Sequence, residues 1–163
     1  MSSKIRKISI GSANFGQKYT FNKIELNQKE VSRILDFAKK NRIYCIDTAE
    51  AYKKSEIKIG NYIRNQSFKD WIITTKLSKS KRDLLKIFKK SEKNLSIKPL
   101  NLLAHNSESF FDNNFRKELI RIKKNENINI GVSIYNEKEL IKVLDTFEPD
   151  IVQIPINILD KKF

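Results

Sequence analysis

Six short apolar runs rich in β-branched residues alternate with longer segments of helical period, and this alternation constrains the chain more than any other feature. The runs fall at residues 7–12, 43–47, 71–76, 100–105, 128–133 and 151–155. Between them the spacing predicts helices over residues 28–40, 55–65, 80–95, 114–124 and 137–147. Apolar residues at intervals of three and four mark the helices, as in Val31, Ile34, Leu35 and Ala38, or Leu84, Leu85, Ile87 and Phe88. In residues 55–65 the face is Ile57, Ile59, Tyr62 and Ile63, set inward or along the flank. Asn27 with Glu30 forms a capping-box pattern ahead of one helix, and Asn136 stands as the N-cap of another. Strands separated by helices of this length pair in parallel, because only a crossover of a dozen or more residues returns the chain to the same end of a sheet.

Two parallel architectures compete. A doubly wound dinucleotide-binding sheet carries a Gly-x-Gly-x-x-Gly turn after its first strand, and "GSANFG" lacks the middle glycine. A (β/α)8 barrel of the TIM type instead gathers its chemistry at the carboxyl ends of successive strands. Those ends here are Asp47, Lys76, His105, Ser133 and Gln153, an unbroken polar series on strands two to six. The series favours the barrel, with the five side chains facing a common site.

Composition narrows the class. At 163 residues the chain suits one domain with a real core, and 39% hydrophobic residues with charges of both signs argue for a folded protein. The net charge of +14 invites a polyanionic partner. However, the lysines are spread over nearly every helix, without an arginine cluster or a stacking motif, so no nucleic acid is expected. The lone Cys45 excludes an internal disulfide framework and, lying in an apolar strand, is expected to be a buried structural thiol. Neither a signal peptide nor a membrane span of about 20 apolar residues is apparent, so the cytoplasm is the expected compartment and no membrane partner is expected.

The chemistry follows from four residues taken together. A phenol has a pKa near about 10 and is a weak proton donor at neutral pH, but a nearby ammonium favours the phenolate and eases proton transfer. Tyr52 supplies the phenol, Lys76 the cation, and Asp47 an anion able to hold Lys76 charged and oriented. His105, the chain's one histidine, can donate a hydrogen bond to a substrate carbonyl. Such a set suits carbonyl reduction, in which an alkoxide takes a proton. Taken singly, each residue has a plainer reading, respectively as a packed ring, a solvated lysine, a helix cap and a bonded structural histidine.

With these residues placed, the sequence resembles the aldo/keto reductases along essentially its whole length. "IGSANFG" is similar to that family's first strand and turn, and "IDTAEAYKKSEIKIG" to its Asp, Thr, Ala, Tyr, Ser-Glu and Gly signature. "WIITTKL" resembles the lysine strand, "NLLAHN" the histidine strand, and "NIGVSIYN" and "IVQIPINILD" the two that follow. The first turn with "VQIPINILD" resembles the bacterial branch linked to surface-polysaccharide and sugar pathways. The resemblance implies a TIM barrel using NADPH, or less often NADH, without a metal, to reduce a small carbonyl compound. It implies Tyr52 as general acid, Lys76 and Asp47 as its activating pair, and His105 as the residue orienting the carbonyl. Ser133 and Gln153 match positions that hold the nicotinamide carboxamide, and Gly11 and Ser12 match the turn near the cofactor.

Two positions depart from the family pattern: Lys53 stands where glycine is usual after the tyrosine, and Ile134 where many members have an asparagine that also touches the carboxamide. The chain also ends just past the sixth strand, whereas a (β/α)8 barrel takes about 250 residues. The expectation is therefore the first six strands of a single reductase domain, truncated before the last two, with edges that invite association. Three readings stand at this stage: an NADPH-dependent reductase, an inactive fragment or associating half-barrel, and a basic nucleic-acid-binding module.

Overall fold

The computed structural model describes residues 8–19, 24–79 and 83–159. Residue 7 of the first expected strand, 80–82 of the third expected helix, and Asp160 of "NILD" lie outside the described residues. In chain order the elements are β1 (Ser9–Gly11), α1 (Ala13–Gly16), α2 (Gln28–Lys40), β2 (Cys45–Asp47), α3 (Ser55–Arg64), β3 (Ile72–Leu77), α4 (Leu84–Leu95), β4 (Asn101–Ala104), α5 (Ser107–Phe111), α6 (Asn113–Glu126), β5 (Asn129–Ser133), α7 (Glu137–Thr146) and β6 (Ile151–Gln153).

The six strands form one parallel sheet in the order β1-β2-β3-β4-β5-β6. Strict sequence order with a helix at each return is the winding of a TIM barrel, and it rules out the reversal of order that defines a doubly wound sheet. The sheet is strongly curled. In a flat sheet β2 and β6 would stand four spacings apart, about 19 Å. Yet the Gln153 Nε2 on β6 donates to the Asp47 Oδ1 on β2 at 3.2 Å. The described strands are thus an incomplete TIM-like barrel.

Local chemistry sets the helix starts. Asn27 accepts from the Glu30 amide while the Glu30 carboxylate accepts from the Asn27 amide, completing the expected capping box of α2. Asp83, Asp112 and Asn136 cap α4, α6 and α7 by accepting backbone amides with their side-chain oxygens, without the reciprocal bond. Two short helices, α1 and α5, lie outside the periodic segments of the sequence. Four and five residues are too few to show a helical period, although Asn106 caps α5 by accepting from the Ser109 amide at 2.8 Å.

The core lies between sheet and helices in two clusters. One packs Ile46 and Ile73 of the sheet against Val31, Leu35 and Ala38 of α2 and Ile59 and Ile63 of α3. The other packs Leu102, Ile130 and Val132 against Phe88, Phe110, Leu119 and Val143. Ile34 is half-buried, and Ile57 is exposed on the flank of α3. Cys45 is half-buried instead of lying in this core. Strand alternation explains the difference: Ile46 points to the helices, so Cys45 and Asp47 share the barrel face. On that interior face Asn101 donates to the Thr74 Oγ1 and Asn129 to the Asn101 Oδ1, both at 2.9 Å, a polar ladder linking β3, β4 and β5. Among the described residues no helix is long and apolar enough to cross a membrane.

Candidate active site

The carboxyl ends of the strands converge as the polar series requires. Asp47, Tyr52, Lys76, His105, Ser133 and Gln153 line one cleft of about 190 Å³, with Tyr135 at its edge. Lys76 is 3% exposed and uses all three ammonium protons: its Nζ stands 2.7 Å from each Asp47 carboxylate oxygen and 3.0 Å from the Thr48 carbonyl oxygen. Burial pushes the Lys76 amine below the usual lysine range, and Asp47 opposes that shift through charge and hydrogen bonding.

The grip on Lys76 depends on how the end of β2 is held. The Asp47 carbonyl accepts from the Ser12 amide at 3.0 Å and from the Ser12 hydroxyl at 2.9 Å. The Ser55 hydroxyl, at the start of α3, reaches the Ser12 Oγ at 2.8 Å, and the Thr48 hydroxyl lies 3.1 Å from the Ser55 Oγ. All three hydroxyl residues are fully buried. Ser55 of the Ser-Glu signature thus ties the first turn to the strand that carries Asp47. The second member of that pair, Glu56, is buried and accepts from the Thr75 hydroxyl at 2.8 Å. Burial pushes the Glu56 carboxyl up, against the hydrogen bond from Thr75.

Tyr52 sits on the turn between β2 and α3. Its amide donates to the Ala49 carbonyl and its carbonyl accepts from the Ser55 amide, both at 3.0 Å. Gly16 packs directly beneath this turn: a Cβ there would stand 1.9 Å from the Tyr52 carbonyl oxygen. Lys53 follows with a left-handed φ of 50°, the conformation for which glycine is the favoured residue. The Tyr52 ring meets the His105 ring edge-on, with centroids 5.7 Å apart and planes at 81°, and the Lys76 Nζ lies 5.5 Å from the Tyr52 centroid.

Here the structure corrects the electrostatics read from sequence. Lys76 does not draw the Tyr52 phenol down. Its pKa is pushed up to about 12, chiefly by burial and then by the Asp47 charge, with smaller contributions from Tyr19 and Tyr135. The physical reason is that Lys76 gives its protons to Asp47 and Thr48, so the phenol senses a neutralised pair and a dry wall. His105 is held below the ordinary histidine value by burial and by Lys76, with Asp47 and Glu50 opposing, and is therefore neutral at pH 7.

The residues matched to the cofactor divide. Ser133 and Gln153 pair in register at the cleft, and the Gln153 Oε1 is buried with no hydrogen-bond partner. Gly11 is exposed and lies outside the residues lining the cleft, while the Ser12 side chain is buried in the hydroxyl network. Ile134 is fully buried in the core beside Phe110 and Val143, on the helix side of the sheet. Sequence reasoning missed Tyr135, the Thr48 carbonyl and the position of Glu56. Tyr135 could have been found from "SIYN", since it lies two residues past a strand-end serine. Among the described residues no cluster of His, Cys, Asp or Glu could hold a metal ion.

Solved structures of similar fold include proteins described as aldo/keto reductases. A Pseudomonas aeruginosa protein assigned as one superposes with a TM-score of 0.78 at 20% identity, over 94% of this chain and 64% of its own. An aldo/keto reductase of Brucella melitensis gives 0.68 at 23% identity, over 91% and 57%. One from Klebsiella pneumoniae, in complex with NADP and acetate, gives 0.63 at 16% identity, over 82% and 47%. At these identities the likeness is one of fold, and the chain spans less than two thirds of the length of these structures. No curated protein sequence matches the chain. The sequence profile of the Aldo/keto reductase family, by contrast, matches residues 7–162, so the chain belongs to the aldo/keto reductase family.

Proposed function

We propose that this chain carries the proton-donating and carboxamide-holding part of an NAD(P)H-dependent carbonyl reductase, within a single reductase domain, acting on a small aldehyde or ketone, sugar-derived compounds included. The observation that carries the reading is the convergence of Asp47, Tyr52, Lys76 and His105 on one cleft. The residues present also fit the cofactor. The buried, unpartnered Gln153 Oε1 calls for a donor, and the amide N–H of a nicotinamide carboxamide is one, with the Ser133 hydroxyl alongside. NADPH, which the family favours, would supply the hydride when bound.

The chain's own groups do the rest. Neutral His105 donates to the carbonyl oxygen of the substrate and fixes it beside the Tyr52 phenol. As charge develops on that oxygen it becomes far more basic than a phenolate, and Tyr52 gives it the proton. A pKa of about 12 keeps Tyr52 protonated throughout the neutral range, so the donor is always loaded for reduction. The Lys76 Nζ lies 5.5 Å from the Tyr52 ring centroid, held by Asp47 and Thr48.

The test is NADPH titration by fluorescence, followed by aldehyde-dependent NADPH oxidation with Tyr52→Phe alongside. The variant should lose at least about a hundredfold in turnover, the range of a general acid, while binding NADPH as before. Equal turnover in Tyr52→Phe would remove the role assigned to Tyr52, and failure of the parent protein to bind NADPH would remove the reading as a whole.

A further inference from the structure

Gln153 is bonded on one side only. Its Nε2 donates to the Asp47 Oδ1 at 3.2 Å, and that same oxygen accepts from the Lys76 Nζ at 2.7 Å. Its Oε1 is buried and unpartnered. An amide in this state is half of a relay. It holds the charged pair with its donor end, while its acceptor end is left without a partner in a side chain that lines the cleft.

We infer that Gln153 is a positioning residue that couples occupation of the carboxamide site to the Asp47–Lys76 pair. The inference rests on the cofactor reading above. A donor placed on the Gln153 Oε1 polarises the amide and strengthens its N–H as a donor to Asp47, as hydrogen bonds in series do in a low-dielectric site. Asp47 then offers less charge to Lys76. Lys76 has no proton to spare in the structure, because Asp47 and Thr48 take all three. Weakening one of those bonds is what lets an ammonium proton turn toward the Tyr52 oxygen. The proton donor is thereby tuned when the cofactor is in place, through a residue on the strand farthest from β1 in the described sheet.

The consequences differ from those of a residue that merely holds cofactor. Without ligand, Gln153→Met removes the donor that competes for Asp47, so the Lys76 amine should titrate at higher pH than in the parent protein. With NADPH, whose reduced ring is uncharged, the Lys76 titration should move down in the parent. It should not move in Gln153→Met at saturating NADPH, although that variant's dissociation constant is expected to rise only about tenfold for one lost hydrogen bond. Ser133→Ala is the control, since it weakens the same carboxamide without touching Asp47 and should retain the shift.

The experiment follows the Nζ resonance of Lys76 against pH by NMR in lysine-labelled protein, with and without NADPH, for the parent and both variants. Buried and triply bonded, the ammonium should exchange slowly enough to be seen. Coupling in the parent and Ser133→Ala but not in Gln153→Met is the expected result. Equal shifts in all three proteins would overturn the coupling, and so would an unchanged Lys76 titration in ligand-free Gln153→Met. If the parent fails to bind NADPH, the functional reading falls and the coupling falls with it; if it binds and Lys76 does not respond, the coupling alone falls.

Discussion

Lys53 is the most direct point at which to test how the Tyr52 turn is held. Its φ of 50° puts an L-residue in the left-handed region, which costs roughly 1–2 kcal/mol where glycine is nearly free of the penalty. Lys53→Gly removes that cost but adds backbone entropy to the unfolded chain, worth about 0.5–1 kcal/mol in the opposite direction. The net expectation is a gain of about 0.5–1 kcal/mol. For a protein of this size a kcal/mol moves the melting temperature by about 2–4 °C, so the variant should melt about 1–4 °C higher. Lys53→Ala separates the two contributions of the side chain: it discards the charge of an exposed lysine but keeps the Cβ and hence the strain. Thermal unfolding followed by circular dichroism, with urea midpoints at unchanged m-value, should rank Gly above Ala and Ala near the parent. If Lys53→Gly is no more stable than Lys53→Ala, the backbone argument is wrong and the family's preference for glycine there has another cause.

Gly16→Ala should destabilise by about 1–3 kcal/mol, because its Cβ would fall 1.9 Å from the Tyr52 carbonyl oxygen and 2.3 Å from the Ser55 amide nitrogen, backbone atoms that cannot swing aside. Gly11→Ala, with nothing within 4 Å of the added Cβ, should stay within about 0.5 kcal/mol of the parent, and the same melting assay compares the two. Glu56 has its folded pKa raised above 4.5 by burial, so between those two values the native state binds more protons than the unfolded state and stability is lost as pH rises. Glu56→Gln should abolish that decline in urea unfolding measured from pH 4 to 8; an unaltered pH profile would show that the buried carboxyl is not its source.

What the sequence made legible was whatever repeats or punctuates. The helix over Gln28–Lys40 was readable to the residue because Asn27 and Glu30 cap it and its apolar face recurs through Ala38. Alternation pointed to parallel pairing, and the polar strand-end series Asp47, Lys76, His105, Ser133 and Gln153 pointed to the sequential order of a barrel and to the residues that line the cleft. Electrostatics was not legible in that way. Whether Lys76 lowers the Tyr52 phenol depends on where three ammonium protons point, and residue types do not say. The structure sends them to Asp47 and Thr48, and the sign of the Tyr52 shift reverses. Ser12, matched to the turn near the cofactor, is also a buried strut on the Asp47 carbonyl, a contact that residue types do not announce. Short helices such as α5 escaped because five residues cannot display a period.

The Asp47–Lys76 pair admits a sharper test, because its two members are unequally buried. Lys76 is 3% exposed and Asp47 22%, so each single substitution strands a different partner. Lys76→Met leaves a carboxylate that still has water and the Gln153 amide. Asp47→Asn leaves a buried ammonium with the Thr48 carbonyl and a neutral side chain. Breaking a buried pair on one side costs about 3–5 kcal/mol when the remaining charge is dry, and less when it can be hydrated. Asp47→Asn should therefore be the costlier change, and its cost should depend on pH. Burial already depresses the folded Lys76 pKa below 10.5, and losing Asp47 depresses it further. Below 10.5 the unfolded state of that variant then binds more protons than the native state, so its stability rises with pH from 7 to 10 more steeply than the parent's. The double variant removes both charges and should recover part of the loss, with a coupling of about 1–3 kcal/mol in a double-mutant cycle. Additive single effects, or a pH slope in Asp47→Asn no steeper than the parent's, would mean that Asp47 does not keep Lys76 charged. The tuning of Tyr52 through that pair would then have no physical basis.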